Sequence, residues 1–252
     1  MTSSPPITAY TLTLNEARQI RPVLESLKWA DEIIVVDSFS TDGTPEIARE
    51  YNARVLSEKF CGFGKLRNRA LAAAKNDWIF SLDADERCTP AFAEAARLEL
   101  RAPKCAAYFV PRLNHFLGRP VRFGGFYPDY RQPQVFDRRQ FEYRDDLVHE
   151  SFECRGAIGY FQEPILQHPF PTMDVVLSKT DRYTTLVAQR YFAEGRRASL
   201  GKMALHPVGG FLKKFVAQQG FREGTLGFMM AALHAYYTFL KYAKLWELQR
   251  RP

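Results

Sequence analysis

Residues 7–14 alternate apolar and polar side chains with the period of a β-strand, and the next segment changes period, with Ile20, Val23, Leu24 and Leu27 falling on one face of a helix. Residues 32–37, Glu-Ile-Ile-Val-Val-Asp, form a continuous apolar run closed by an acid. That is the pattern of a parallel strand buried on both faces. A polar loop at 38–44 leads into a helix from Pro45 to Tyr51, residues 54–56 read as a third strand, 65–75 as a helix, 78–82 as a fourth strand and 90–100 as a helix. Strand and helix in regular alternation predict an α/β domain with a mainly parallel sheet, whose ligands bind beyond the C-terminal strand ends.

After residue 100 the pattern turns to short aromatic strands, expected at 106–111, 118–126 and 134–136, followed by an acidic stretch at 143–150. From Val175 the periodicity is helical, through Val176, Tyr183, Val187 and Tyr191, then 211–216, then 226–248. Residues 225–240 are uncharged but just short of a bilayer span, and they contain His234, Tyr236, Tyr237 and Thr238. A buried or interfacial amphipathic helix suits them better than a transmembrane one.

Chemistry concentrates at Asp83-Ala84-Asp85, delivered by the apolar run that starts at Trp78. Two carboxylates carried by one strand end into a crevice hold a divalent cation by oxygen and leave positions for phosphate. In the plainer alternative they cap a following helix. Gly62-Phe63-Gly64-Lys65-Leu66-Arg67 has Arg where a dinucleotide fingerprint requires Gly, and it lacks P-loop spacing, so neither a dehydrogenase nor a P-loop NTPase is supported.

The 252 residues, 46% hydrophobic and 25% charged, describe an ordinary folded chain. Their net charge of +7 is unevenly divided. Residues 1–175 carry 22 Lys/Arg against 24 Asp/Glu, and residues 176–252 carry 13 against 4, so the two parts stand at −2 and +9. A basic tail fits anionic lipid headgroups or a phosphorylated glycolipid, or else a solvated surface. No nucleic-acid-binding signature accompanies it, and nucleic acid is not an expected partner. Cys61, Cys88, Cys105 and Cys154 form no C-x-x-C pair and no secretory signal opens the chain, so a reducing cytosol is expected, with neither disulfides nor a zinc site.

Thr11 with Asn15-Glu16, Val35-Val36-Asp37 followed by Ser40-Thr41-Asp42-Gly43-Thr44, Arg67-Asn68 with Ala70, and Leu82-Asp83-Ala84-Asp85-Glu86 occur in the order and spacing of the family 2 glycosyltransferases. The chain resembles these inverting enzymes of the GT-A fold over residues 7–90. Further on, Val148-His149-Glu150, His168 and the Gly220-Phe221-Arg222-Glu223-Gly224-Thr225 segment resemble more loosely the bacterial transferases that add glucose to an inner-core heptose of lipopolysaccharide. The resemblance implies a GT-A domain over 1–174, with a donor-binding half at 1–100 and an acceptor-side half at 101–174, and a basic helical extension over 175–252.

It also implies the roles. Thr11 and Asp37 read uracil, with Asn15 and Glu16 on the same donor side; an ionised Asp accepts from an imide N–H that cytosine lacks. Arg67 faces the nucleotide, Asp83 meets the ribose, and Asp85 holds Mn2+ or Mg2+ against the diphosphate of a UDP-sugar. His168 stands where some relatives place a third metal ligand or a phosphate contact. Lys179 and Arg182, one turn apart, either clamp the diphosphate or are ordinary surface cations. Inverting displacement requires a carboxylate to take the acceptor's proton, a role expected of Glu150, with Asp145 and Asp146 as rivals. The expected acceptor is a phosphorylated glycolipid at the cytoplasmic face of the bacterial inner membrane. Competing readings are a same-fold transferase acting on polyprenyl phosphate or another glycan, and a non-catalytic membrane-surface module.

Overall fold

The structure, a computed structural model, describes residues 4–144 and 151–250. In chain order the elements are β1 (Ile7–Thr13), α1 (Ile20–Leu27), β2 (Glu32–Asp37), α2 (Thr44–Glu50), β3 (Arg54–Ser57), α3 (Phe63–Ala73), β4 (Trp78–Ser81), β5 (Glu86–Arg87) and α4 (Pro90–Glu99). They continue as β6 (Ala107–Phe109), β7 (Arg112–Phe116), β8 (Arg119–Pro120), β9 (Pro133–Asp137), β10 (Phe141–Tyr143), β11 (Phe152–Cys154), β12 (Ile158–Tyr160) and β13 (Ile165–Phe170). Three long helices follow: α5 (Met173–Ala193), α6 (Leu200–Leu212), which runs on into a π turn at Lys213–Ala217, and α7 (Thr225–Leu248), preceded by a 3-10 turn at Gly220–Glu223.

Two compact units emerge. One comprises Met1–Arg112 with Asp129–Gln167, the other Leu113–Pro128 with His168–Pro252. The first is built on a seven-stranded sheet in the order β12-β6-β9-β4-β1-β2-β3. β1 runs parallel to β2 and β4, β2 to β3, and β12 to β6, while β9 alone is reversed between β4 and β6. Strand alternation divides the core. Ile7, Ala9, Val35 and Phe80 pack on the side of α1 and α4, whereas Tyr10, Ile34, Val36 and Ile79 pack on the side of α3. The four apolar residues that predict α1 are all fully buried, each contributing roughly 1.5–3 kcal/mol.

The second unit is helical. α7 packs against both α5 and α6, with Val176, Leu226 and Met230 in one cluster and Ala188, Tyr242 and Leu245 in another.

The strand expected at 118–126 is shorter and lies earlier. β7 occupies Arg112–Phe116, and only Arg119–Pro120 pairs back on it. The chain between them turns through positive φ at Leu117 and Gly118, and it does so again at Gly124 and Gly125, where an extended strand cannot continue. The middle C-terminal helix also begins earlier than the expected 211–216, at Leu200, and passes through Pro207.

Candidate active site

The C-terminal ends of β1, β2 and β4 form one rim of the first unit. Thr13 and Asp37 are register partners there, and Thr13 Oγ1 donates to Asp37 Oδ1 at 3.0 Å. Ser40 donates from its hydroxyl to Oδ1 at 2.5 Å and from its backbone to Oδ2 at 2.9 Å, so Asp37 also ties down the loop that follows β2. The loop after β1 is stitched to the same segment. Asn15 N donates to Ser40 Oγ and Thr41 N to Asn15 Oδ1; Glu16 N donates to Thr44 Oγ1 and Ala17 N to Asp42 Oδ2, all at 2.7–2.9 Å. Hydrogen bonding from Thr44 holds the Asp42 carboxyl below its usual range. Asn15 and the run from Ser40 to Thr44 therefore join two loops to each other.

Thr11 is different. It is completely buried on β1, and its Oγ1 has no hydrogen-bond partner among the described residues. A buried hydroxyl left without a partner costs about 1–3 kcal/mol.

At the end of β4 the chain makes a tight, doubly bonded turn. Asp83 N donates to Glu86 Oε2 at 3.0 Å, and Glu86 N donates to Asp83 O at 2.9 Å. Arg87 fastens the turn from outside, reaching Ala84 O and Glu86 O with one nitrogen and Gln19 with the other. Asp83 and Asp85 are thus carried on a short, braced segment.

Arg67, expected to face the nucleotide, is only 3% exposed. From α3 its guanidinium donates to Ser81 Oγ and Asp83 Oδ1, each at 2.9 Å, beneath the Tyr143 ring. It acts on the rim through Asp83. Asn68, one residue on, holds the backbone of Tyr143 by both N–H and C=O, at 3.1 and 2.7 Å. The Asp83 side chain is 37% exposed. Burial would raise its carboxyl, but Arg67, Arg112 and Arg131 outweigh that and hold it below its usual range, ionised.

Beneath Asp83 lies a buried polar group that sequence reasoning missed. Glu86, fully buried, accepts from Arg112 Nε and, at 2.9 Å, from Gln134 Nε2. Burial pushes the Glu86 carboxyl up to about 7, with Arg112 pulling the other way. Arg131, bonded to Asp129, donates to Gln167 Oε1 at 3.1 Å, and Gln167 Nε2 lies 3.5 Å from Asp85 Oδ1. One signal was available. Arg112, Gln134 and Gln167 are polar residues inside short apolar strands, and buried polar groups of that kind come as bonded sets.

Among the described residues no three His, Cys, Asp or Glu side chains form a metal-binding group. What the rim offers is the pair Asp83 and Asp85, oxygen ligands of the hard type. One or two carboxylates completed by substrate phosphates is the usual set for Mg2+, so the residues fit a divalent cation. His168 lies on the part of β13 in the second unit, its ring stacked on His115 with centroids 4.4 Å apart. Lys179 donates to Pro169 O at 2.9 Å and sits over the Phe170 ring, which engages its ammonium within its own unit; Arg182 is exposed on α5. Glu150, with Asp145, Asp146 and His149, lies outside the described residues. Two hollows of about 450 and 820 Å³ in the first unit are lined by none of Thr11, Asp37, Asp83 and Asp85.

Residues 8–166 match the family described as Glycosyl transferase family 2. The chain belongs to that family. Over 266 residues this glycosyltransferase is 30% identical to the Lipopolysaccharide core biosynthesis glycosyltransferase LpsC of Rhizobium meliloti (strain 1021), covering 98% of this chain and 95% of the relative. It is 25% identical over 254 residues to an uncharacterized glycosyltransferase of Rickettsia bellii (strain RML369-C), covering 96% of this chain and 86% of that one. In fold it is similar to the mannosyltransferase PcManGT from Pyrobaculum calidifontis, solved with GDP-Man and Mn2+, at a TM-score of 0.55 and 15% identity over 99% of this chain and 89% of that one. The transferase thus has the expected GT-A architecture, a mainly parallel α/β sheet with C-terminal helices.

Proposed function

We propose that this glycosyltransferase moves a hexose, glucose in this reading, from a UDP-sugar to an inner-core heptose of lipopolysaccharide, with inversion at the anomeric carbon and with Mn2+ or Mg2+. The observation that carries the reading is the braced pair Asp83 and Asp85 at the end of β4, with Asp83 held ionised by arginines. Near full-length similarity to a lipopolysaccharide core transferase supports the class of acceptor.

Each residue then has a task. Thr11, completely buried on β1, lies in the floor beneath the base. Asp37 Oδ2, which accepts from Ser40 N, has a second lone pair and accepts the uracil imide N–H. Asp83 meets the ribose while Arg67 fixes its rotamer. The bound cation supplies positive charge to the departing diphosphate. Asp85 would be its principal ligand. Glu150 takes the proton from the attacking acceptor hydroxyl. The enzyme works in the cytoplasm, peripheral to the inner membrane.

Asp85→Asn tests the centre of this reading. Turnover of UDP-glucose with added Mn2+ is expected to fall by about 10²-fold or more, while far-UV circular dichroism stays unchanged. Full metal-dependent turnover in the variant would overturn it.

A further inference from the structure

Helix α6, Leu-Gly-Lys-Met-Ala-Leu-His-Pro-Val-Gly-Gly-Phe-Leu, is apolar almost all round, yet not one of its residues is buried. A helix of that composition belongs in a core or in lipid. One face is covered. His206 meets the Tyr242 ring edge-on at 5.3 Å, Phe211 meets Phe228 at 5.7 Å, and Gly210 lies under His234, all on α7. At 100° per residue the opposite face carries Leu205, Val208 and Leu212, with Val216 one turn further in the π turn. These four are 71%, 58%, 51% and 55% exposed. Half-exposed Phe221 and Phe228 extend the apolar surface through ring contacts with Phe215.

Charge identifies the occupant. Residues 196–222 contain six Lys/Arg and no Asp or Glu. On the helix, Lys202 and Lys213 fall along the same flank of the stripe, three turns apart and about 80° and 100° from its middle, where long stems reach past apolar surface to an anionic layer. Among the described residues no helix is long and apolar enough to cross a membrane. An apolar stripe flanked by cations, in a helix of about 20 Å, has the proportions of a segment lying in the plane of the headgroups.

We infer that the Leu205, Val208, Leu212 and Val216 face is a docking surface for an anionic lipid bilayer, with Lys202 and Lys213 at the phosphates. The inference deepens the peripheral-membrane part of the proposed function. It replaces the general basic tail with one face, whose exposed cation is Lys213: Lys214 and Lys244 are bonded to Gly124 O and to Asp181 within their own unit, and Lys202, beside the stripe, donates to Arg197 O at 2.8 Å, a surface bond that an anionic phosphate can replace.

The test is co-sedimentation of the full chain with vesicles of phosphatidylglycerol mixed with phosphatidylcholine, and with phosphatidylcholine alone, in the absence of glycolipid and sugar donor. The wild type is expected to bind the mixed vesicles far better. Leu205→Glu with Leu212→Glu should weaken binding about tenfold or more for each leucine. Lys202→Gln with Lys213→Gln should weaken it less and remove the preference for phosphatidylglycerol. Leu205, Leu212 and Lys213 are exposed and Lys202 makes only a surface bond to Arg197 O, so circular dichroism and hydrolysis of UDP-glucose are expected to match the wild type. Unaltered vesicle binding in the leucine variant would overturn the inference. So would a wild-type dimer that the same variant makes monomeric while lipid binding persists, because the face would then join two copies of the chain. Vesicle binding is read without turnover, so failure of this surface is distinguishable from failure of the proposed reaction.

Discussion

Glu86 follows the two rim carboxylates in sequence and sits beneath them in space, where it does the opposite job. Asp83 and Asp85 stand toward solvent at the rim; Glu86 is sealed with Arg112 and Gln134 and holds the Asp83 amide. Arg112→Met leaves that carboxylate without its cation, and urea denaturation is expected to show a loss of about 3–5 kcal/mol. Glu86→Gln keeps the shape and removes the titration. The folded-state value of about 7 lies above the ordinary 4.5, so the folded protein holds this proton more tightly than the unfolded chain does. Its stabilising contribution is present at low pH and is lost as pH rises from about 4.5 through about 7. The stability of the wild type relative to Glu86→Gln should therefore decline across that window and level off above it; a relative gain would mean that Arg112 keeps Glu86 ionised. Asp83, held low by its arginines, has the reverse sense and loses its contribution as pH falls.

At the scale of elements, residues 7–100 were legible because strands and helices there have clean periods. α1 shows it best, its predicted face being its buried face. β7 was not legible, since Arg112 and Asn114 interrupt its apolar pattern and the reason for their burial lies in partners distant in sequence. The motif residues were legible as a set but not in their division of labour: Asn15, Ser40 and Asp42 bind loop to loop, which no spacing reveals. Gly220 and Gly227 were visible only as part of a turn before a helix. In the structure a Cβ at Gly227 would stand 1.8 Å from Gly220 O, so the first turn of α7 closes on the 3-10 turn before it. Gly227→Ala is expected to cost on the order of 3 kcal/mol. Gly209→Ala, in α6 with nothing within 4 Å of the new methyl, should instead stabilise by about 0.5–1 kcal/mol. Thermal midpoints of the two variants moving in the same direction would contradict this packing.

For the molecule as a whole, charge and chemistry are kept apart along the chain. The carboxylate rim lies within residues 1–175 at −2, and the stripe on α6 lies within 176–252 at +9. Salt therefore separates two properties. Exposed cations are screened over about 10 Å at 0.1 M and about 3 Å at 1 M. Adhesion to phosphatidylglycerol vesicles should weaken steeply as sodium chloride rises through that range, while hydrolysis of UDP-glucose in free solution changes little. Parallel loss of both would show that screening reaches the rim carboxylates too.

The reversal of β9 has a bearing on how such a protein tolerates change. β4 arrives at the rim and β9 sets out from it, so Ser81 and Gln134 are spatial neighbours, with Gln134 Nε2 3.3 Å from Ser81 O, although more than fifty positions separate them. Arg112 N bonded to Asp129 O pins the two ends of the intervening excursion, 113–128, in the same way. Lengthening a flexible loop whose ends are already fastened is cheap, about 0.6 kcal/mol for each doubling. Length added to that excursion outside β7, β8 and the buried Phe116 and Val121 leaves the carboxylates where they are.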